Sequence, residues 1–317
     1  MSPAQAIAID LGGTQVKAAL VEGNQIQNRA AVQTDLSGDP NAILDQIGSL
    51  IDRVSDGRNK NAIVGIGFSS AGPIDTQAGI ILGIPTIPGC EGFPIRQTIF
   101  DRFGLPVQIE NDAIAATLGE WRHGAGRGFR NLVYITVSTG IGGGAVVDGR
   151  LLHGRQGMAA HVGHMRLASE GPLCSCGNSA CFEAFASGTA LAERAQSAAR
   201  LPNSEFLLQA LNAGDLNAKH VIEGARTGDK QCLALVVEEA TYLGRGITSI
   251  LHAFSPERVI IGGGLAHGFD LFEAGIHKVI ETDAMAPFKS IRVVRSELGD
   301  DSGLAGAAAM VLEHSST

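Results

Sequence analysis

The chain reads as an α/β protein of two domains, on three observations. Its 317 residues exceed what one hydrophobic core usually serves. Short apolar strands alternate with segments of helical period along its length. One device, a strand, a Gly/Thr turn and a return strand, occurs twice, about a domain apart. In its first copy residues 6–9 form an apolar strand running into Asp10-Leu11-Gly12-Gly13-Thr14. Residues 16–21 return, and Glu22-Gly23-Asn24 is a hairpin turn. In the second copy the strand is 132–137, the turn 138–144 and the return 145–147, with Asp148-Gly149 as the next hairpin turn. Between the copies, 62–68 and 107–109 are strands. A helix over 112–121 puts Ile114, Leu118 and Trp121 on one face. Further on, 233–251 is a long amphipathic helix, followed by a strand at 258–261 and Gly262-Gly263-Gly264. Leu304, Ala307, Ala308, Val311 and Leu312 line a C-terminal helix. The expected division is a smaller α/β domain over 1–118, joined by helix 303–317, and a larger one over 119–302.

Composition excludes several classes. The formal net charge of −8 and the absence of a basic run argue against a nucleic-acid partner. No stretch of about 18 apolar residues is present to span a membrane. The first strand begins by Ile7, too early for a signal peptide, so a cytoplasmic location is expected. Cys90 and Cys232 make an implausible disulfide pair, which fits a reducing compartment.

The other three of the five cysteines, Cys174, Cys176 and Cys181, crowd into eight positions just after His164. Three thiolates and an imidazole are a tetrahedral ligand set for structural Zn²⁺, closed because no position is left for water. Such a site braces chemistry and does not perform it. The alternative is a loop of ordinary reduced thiols.

The glycine turns suit phosphate. Glycine lets backbone N–H groups approach an anion with no Cβ in the way, and Thr14 and Thr139 add hydroxyl donors. Neither turn has the spacing of a Walker A loop, and no strand–G-x-G-x-x-G–helix unit is present. Either turn alone is equally a tight hairpin. Two matched turns and the Gly262-Gly263-Gly264 cluster together suggest two jaws on a nucleotide.

These residues carry a resemblance. Asp10-x-Gly12-Gly13-Thr14-x-x-Lys17, Glu110-Asn111-Asp112, Ser138-Thr139-Gly140-x-Gly142-Gly143, Gly163-His164-Met165 and Cys174-x-Cys176-Gly177-x-x-Ala180-Cys181-x-Glu183 resemble the ROK family of sugar kinases. The resemblance runs from Ile7 to the Gly299-Asp300-Asp301-Ser302-Gly303 region. It implies an actin-like ATPase (ribonuclease H-like) fold with a cleft between two domains, and ATP-dependent phosphorylation of a sugar hydroxyl, usually O6 of a hexose. By that resemblance Asp112 is the catalytic base, although an aspartate heading a helix is also a good N-cap. Asn111 and Gly72 are expected at the sugar. Asp10 is expected to orient Mg²⁺, the alternative being a strand-end turn aspartate. Gly12, Gly13 and Thr14 are expected on the γ side of ATP, Thr139 and Gly140 at the other phosphates, and Gly262, Gly263 and Gly264 at the adenosine. Lys17 reaches either phosphate or solvent. Homodimers are common in the family.

The sugar pocket departs from the common pattern. Many members read Gly-Glu-x-Gly-His where this chain has Ala160-His161-Val162-Gly163-His164. A neutral histidine can donate as well as accept, so His161 suits the carbonyl of a C2 acylamino group. The bacterial N-acetylmannosamine kinases are similar here. A plain packing substitution is the alternative. His164 is expected to touch sugar while binding the metal, and Glu183 keeps the family's second sugar carboxylate. Thr86 and Cys90 replace an Asn and a Trp in the Pro-Asn-Leu-Pro-Gly-Trp stretch, which suggests a roomier pocket. The expected activity is phosphorylation of N-acetylmannosamine, followed by glucose and then other hexoses. A ROK repressor is disfavoured because only nine residues precede Asp10, with no room for a helix-turn-helix. A sugar sensor without turnover is the third class.

Overall fold

Two five-stranded sheets of the same design organise the chain. The structure is a computed structural model, and it describes residues 3–314 apart from 203 and 215. Its strands are β1 (Gln5–Leu11), β2 (Gln15–Glu22), β3 (Gln25–Gln33), β4 (Ile63–Ser70), β5 (Ile74–Asp75), β6 (Ile80–Ile81), β7 (Val107–Asn111), β8 (Leu132–Val137), β9 (Ile141–Val147), β10 (Arg150–Leu151), β11 (Arg258–Gly262) and β12 (Arg292–Arg295). The helices are α1 (Pro40–Ser55), α2 (Ile95–Phe103), α3 (Asp112–His123), α4 (Phe182–Ala186), α5 (Gly188–Ala198), α6 (Glu205–Asn212), α7 (Ala218–Arg226), α8 (Lys230–Phe254), α9 (Phe269–Asp283) and α10 (Ser302–His314). No helix among the described residues is long and apolar enough to cross a membrane.

The first sheet runs β3-β2-β1-β4-β7, with β1, β4 and β7 parallel and β2 antiparallel to β1. The second runs β10-β9-β8-β11-β12, with β8, β11 and β12 parallel and β9 antiparallel to β8. The strand device read twice in the sequence is thus the start of two equivalent sheets. In its second copy the turn is shorter than expected. Residues 141–144 pair with β8, from Ile141 opposite Val137, and only 138–140 turn.

The chain divides into two compact units. Unit 1 holds Met1–Gly128, Arg150–Ala159 and Asp300–Thr317; unit 2 holds Phe129–Gly149 and Ala160–Gly299. A division at 118 would have cut α3, whose cap and packing bind it to unit 1. The sequence also gave no sign that Arg150–Ala159 returns to unit 1.

Unit 1 is built around an asymmetry in β1. Ile7, Ile9 and Leu11 alternate onto one face and join Ile43, Leu44, Ile47 and Leu50 of α1 in a large core. Ala6 and Ala8 face the other way, with Ala19 of β2, and pack against Leu304, Ala307, Ala308 and Val311 of α10. The small residues bring the helix backbone onto the sheet. A Cβ at Gly67 of β4 would run into the carbonyl of Ala307, and one at Gly306 of α10 into the carbonyl of Ala115 in α3. Gly306→Val is therefore expected to separate α10 from α3, and overpacking of about 1–3 kcal/mol or more should lower Tm by roughly 5–10 °C. Thermal unfolding followed by circular dichroism checks this; a Tm within about 2 °C of the parent would contradict the packing argument.

Candidate active site

In unit 1 the expected residues gather where the parallel strands end. Asp10 of β1 lies opposite Ser69 of β4, and Ser70 lies opposite Asn111 of β7. Gly12–Thr14, Gly72 and Asp112 then follow β1, β4 and β7 at one edge, where α/β sheets bind ligands. The β1–β2 turn is held by Gly12 N–H donating to Gln15 O (3.0 Å) and by the Thr34 hydroxyl donating to Gly12 O (2.7 Å). Thr14 itself is exposed. Asn111 caps α3, its Oδ1 accepting from Ala113 N (3.0 Å) and Ile114 N (3.4 Å). Its amide nitrogen is left on the side of Gly72, 3.1 Å from where a Cβ there would sit. The N-cap is thus Asn111, and Asp112 is the first helical residue, which frees it from the capping duty that was its alternative reading.

The carboxyls here are electrostatically unusual. The Asp112 carboxyl is pushed up to about 7, first by burial and then by the Asp10 charge, against the opposing hydrogen bonds from Ala113 and the Asn111 side chain. Burial also raises Asp10, offset in part by the Lys17 ammonium at 3.8 Å and by the Ser69 hydroxyl donating at 3.1 Å. Lys17 lies opposite Asp10 on β2, so its first partner is that carboxylate. Ser69 carried no motif signal, and only the β1–β4 register reveals it. Gly303 at the start of α10 packs against the Asp10 carboxyl.

In the segment from Pro85 to Cys90 the two departures behave differently. Cys90 is buried in the unit 1 core. The Thr86 side chain is exposed and lies directly against Gly13 of the β1–β2 turn.

Unit 2 repeats the strand-edge arrangement. The turn after β8 presents Thr139 and Gly140, and the end of the adjacent parallel strand β11 presents Gly262 to Gly264. Gly264 lies beside the Ser138 hydroxyl. The turn is braced from the α4–α5 junction. Gly188 N–H donates to Ser138 O (2.7 Å) and the Thr189 hydroxyl to Thr139 O (2.8 Å). Glu183 of α4 completes the brace. Its Oε2 accepts from Ile141 N (2.8 Å), and its Oε1 accepts from the Ser175 hydroxyl (2.8 Å), with Cys174 Sγ 3.5 Å away. The expected sugar carboxylate is therefore also a clamp between two loops, a role that nothing in the sequence indicated.

The cysteine cluster closes as its spacing predicts. The ligand atoms of His164, Cys174, Cys176 and Cys181 all lie within 4.8 Å of one another. Cys174 Sγ and His164 Nδ1 are 3.6 Å apart, and Cys176 Sγ and Cys181 Sγ 3.7 Å. Tetrahedral Zn²⁺ with its usual bond lengths gives edges of about 3.6 Å for S···N and about 3.8 Å for S···S. Burial, then the neighbouring thiols, push Cys181 up to about 12, so a thiolate there needs a cation. Gly163 seats His164, because a Cβ would strike the carbonyl of Ile141 in β9. The His161 ring is exposed and stacks beside that of His164, centroids 6.4 Å apart.

Relatives match both sequence and fold. The ROK family profile matches residues 6–314. A glucokinase of Thermotoga maritima is 35% identical over 310 residues, 97% of each chain. An N-acetylmannosamine kinase of Citrobacter koseri is 34% identical over 266 residues, 83% of this chain and 85% of its own. The crystal structure of a ROK family glucokinase from Streptomyces griseus, in complex with glucose and AMPPNP, superposes with a TM-score of 0.87 at 32% identity, covering 98% of this chain and 99% of that one. The twice-repeated sheet with glycine turns at its strand ends is the actin-like ATPase fold, and the chain belongs to the ROK family.

Proposed function

We propose that this ROK-family sugar kinase transfers the γ-phosphoryl group of ATP to the 6-hydroxyl of a hexose, with Asp112 as general base. The observation that carries the assignment is the Asp112 carboxyl, set at the end of β7 and pushed up to about 7, where it ionises near neutral pH and can still accept a hydroxyl proton. Asn111 orients the sugar through the amide nitrogen its capping oxygen leaves available, with Gly72 beside it. Asp10 is the residue suited to Mg²⁺ or its waters, since a divalent cation offsets the burial that disfavours its charge. When bound, Mg²⁺ spreads the charge of the transferred phosphoryl group. Gly12, Gly13 and Thr14 serve the γ side of ATP, with Lys17 holding Asp10; Thr139 and Gly140 serve the other phosphates, and Gly262 to Gly264 the adenosine.

Glucose is supported as the acceptor by the glucokinase relatives, which match this chain over nearly its full length. N-acetylmannosamine is the second reading, favoured by a relative that phosphorylates it and by a histidine at position 161, a residue type that can donate to an acyl carbonyl where a glutamate cannot. Glu183 and His164 complete the sugar-facing set. The relatives support glucose at least as well as the N-acetylmannosamine expected from the sequence. The cysteine cluster fits structural Zn²⁺, and a family homodimer remains the expected assembly.

Asp112→Asn is expected to abolish turnover while ATP and sugar still bind, and parental kcat/KM should fall toward tenfold per pH unit below about pH 7. The same carboxyl has a stability signature. Its folded value lies above the ordinary 3.8, so the folded state holds a proton the unfolded chain has lost, and stability declines as pH rises through that window. Asp112→Asn should therefore melt higher than the parent at pH 8, with the difference vanishing near pH 4. Turnover within roughly tenfold of the parent would remove Asp112 from the role of base.

Elemental analysis of protein purified without chelator is expected to give one zinc per chain. Cys176→Ser should weaken sugar binding before ATP binding, because the loop bearing His164 loosens first. A metal-free protein of full activity would overturn this.

His161→Glu is expected to move relative kcat/KM from N-acetylmannosamine toward glucose by about one to two decades, since a carboxylate leaves an acyl carbonyl unpaired. The ratio for the two sugars in parent and variant is the measurement. An unchanged ratio would show that His161 does not select the sugar, and a parent already preferring glucose would make glucose the acceptor.

A further inference from the structure

Unit 1 contains a hydrogen-bond relay that the phosphoryl-transfer reading leaves unused. Glu110, the residue before Asn111 and Asp112, is a carboxylate whose side chain is only 3% exposed. Its Oε1 accepts from the backbone N–H of Asn111 at 2.9 Å. Its Oε2 lies 2.7 Å from Nδ1 of His153, a ring that is 55% exposed. His153 comes from no strand or helix. It sits on Arg150–Ala159, the segment that returns to unit 1, and two further bonds dock that segment there: Gln156 Nε2 donates to Asp75 Oδ2 (2.8 Å), and Thr76 N to Gln156 O (3.3 Å). A buried carboxylate that loses a partner must find water, a proton or a new conformation. Here any such move pulls on the Asn111 amide, and Asn111 is both the cap of α3 and the residue on which Asp112 hangs. The Glu110 hydrogen bond also raises His153, which favours the ring that donates.

We propose that His153 is a positioning residue for phosphoryl transfer: through Glu110 it fixes the Asn111–Asp112 peptide, and so the angle at which the base meets the sugar hydroxyl. It touches neither substrate nor Asp112. The inference rests on Asp112 as base. A misplacement of about 1 Å at reacting groups can cost about a hundredfold, so His153→Ala is expected to lower kcat about tenfold to a hundredfold. The KM for ATP should stay within about twofold, and calorimetric sugar affinity should fall only a few-fold, because positioning acts on the transition state.

The half-exposed ring makes rescue feasible. Imidazole added to His153→Ala should restore a substantial part of kcat with saturation, a result that a purely architectural histidine would not give. In a double-mutant cycle, Glu110→Gln with His153→Ala should be no slower than Glu110→Gln alone. Parental kcat in His153→Ala, additive losses in the cycle, or a lowered kcat that imidazole does not raise would each overturn the proposal. If Glu110→Gln fails to fold, the imidazole titration decides by itself. The failure of the underlying reading looks different: Asp112→Asn retaining turnover sinks the base assignment, whereas an inactive Asp112→Asn beside a fully active His153→Ala sinks only this one.

Discussion

The constraint on which unit 1 depends is the contact of α10 with the sheet and with α3, made backbone to backbone. Ala6, Ala8, Gly65 and Gly67 present almost no side chain toward α10, and Gly306 presents none toward α3. Interiors are packed too densely to absorb an inserted methyl at such a point. The consequence reaches the chemistry. With α10 seated, Gly303 lies against the Asp10 carboxyl, and α3 has one permitted position, which sets where Asp112 emerges from β7. The Ser302 hydroxyl donates to the buried Glu120 at 2.8 Å and ties the same two helices at the other end of α3. Asp10, Asn111 and Asp112 thus sit on strand ends and the first turn of a helix.

Electrostatics then works against the frame, and usefully so. Asp112 is the first residue of a helix, where the N-terminal dipole favours an anion by about 0.3–1 kcal/mol. It also accepts hydrogen bonds. Both effects should hold its carboxyl low, yet the net shift is upward, so burial outweighs them. That cost fits the base proposed for phosphoryl transfer, because a carboxylate of ordinary acidity is a poor base at neutral pH. The nearby Asp10 pushes the same way.

In unit 2 one carboxylate joins two features that the sequence presents separately. Glu183 reaches the Ser175 hydroxyl and Cys174 in the cysteine loop, and the Ile141 amide beside the Thr139–Gly140 turn. With both oxygens so engaged, the side chain cannot swing, and its remaining lone pairs point in fixed directions. The buried Glu239 of α8 is tied to α4 through Arg194. Glu239 is pushed up to about 8 by burial, partly offset by Arg194, which also donates to the Phe185 carbonyl of α4.

The local chemistry was legible because it is written in short, contiguous signals. The spacing of Cys174, Cys176 and Cys181 gathers three thiols within eight positions, Asp148-Gly149 favours a hairpin with both residues at positive φ, and short apolar runs mark β1, β8 and β11. Those constraints act over fewer than about ten residues, so no tertiary knowledge is needed to read them. Long-range pairing was not legible. Whether Asp112 or Asn111 caps α3 depends on backbone dihedrals, and the sequence allows either. That Cys90 joins the core of unit 1 is likewise decided by packing. That Ser69 reaches Asp10, Glu183 the β8–β9 turn and His153 the carboxylate before Asn111 follows from strand register and loop docking across 59, 42 and 43 residues. Such contacts leave no mark on either partner's neighbours. The sequence determined which groups this protein has to work with; the packing of its sheets and helices decided which of them meet, because only there is the entropy of bringing distant segments together repaid.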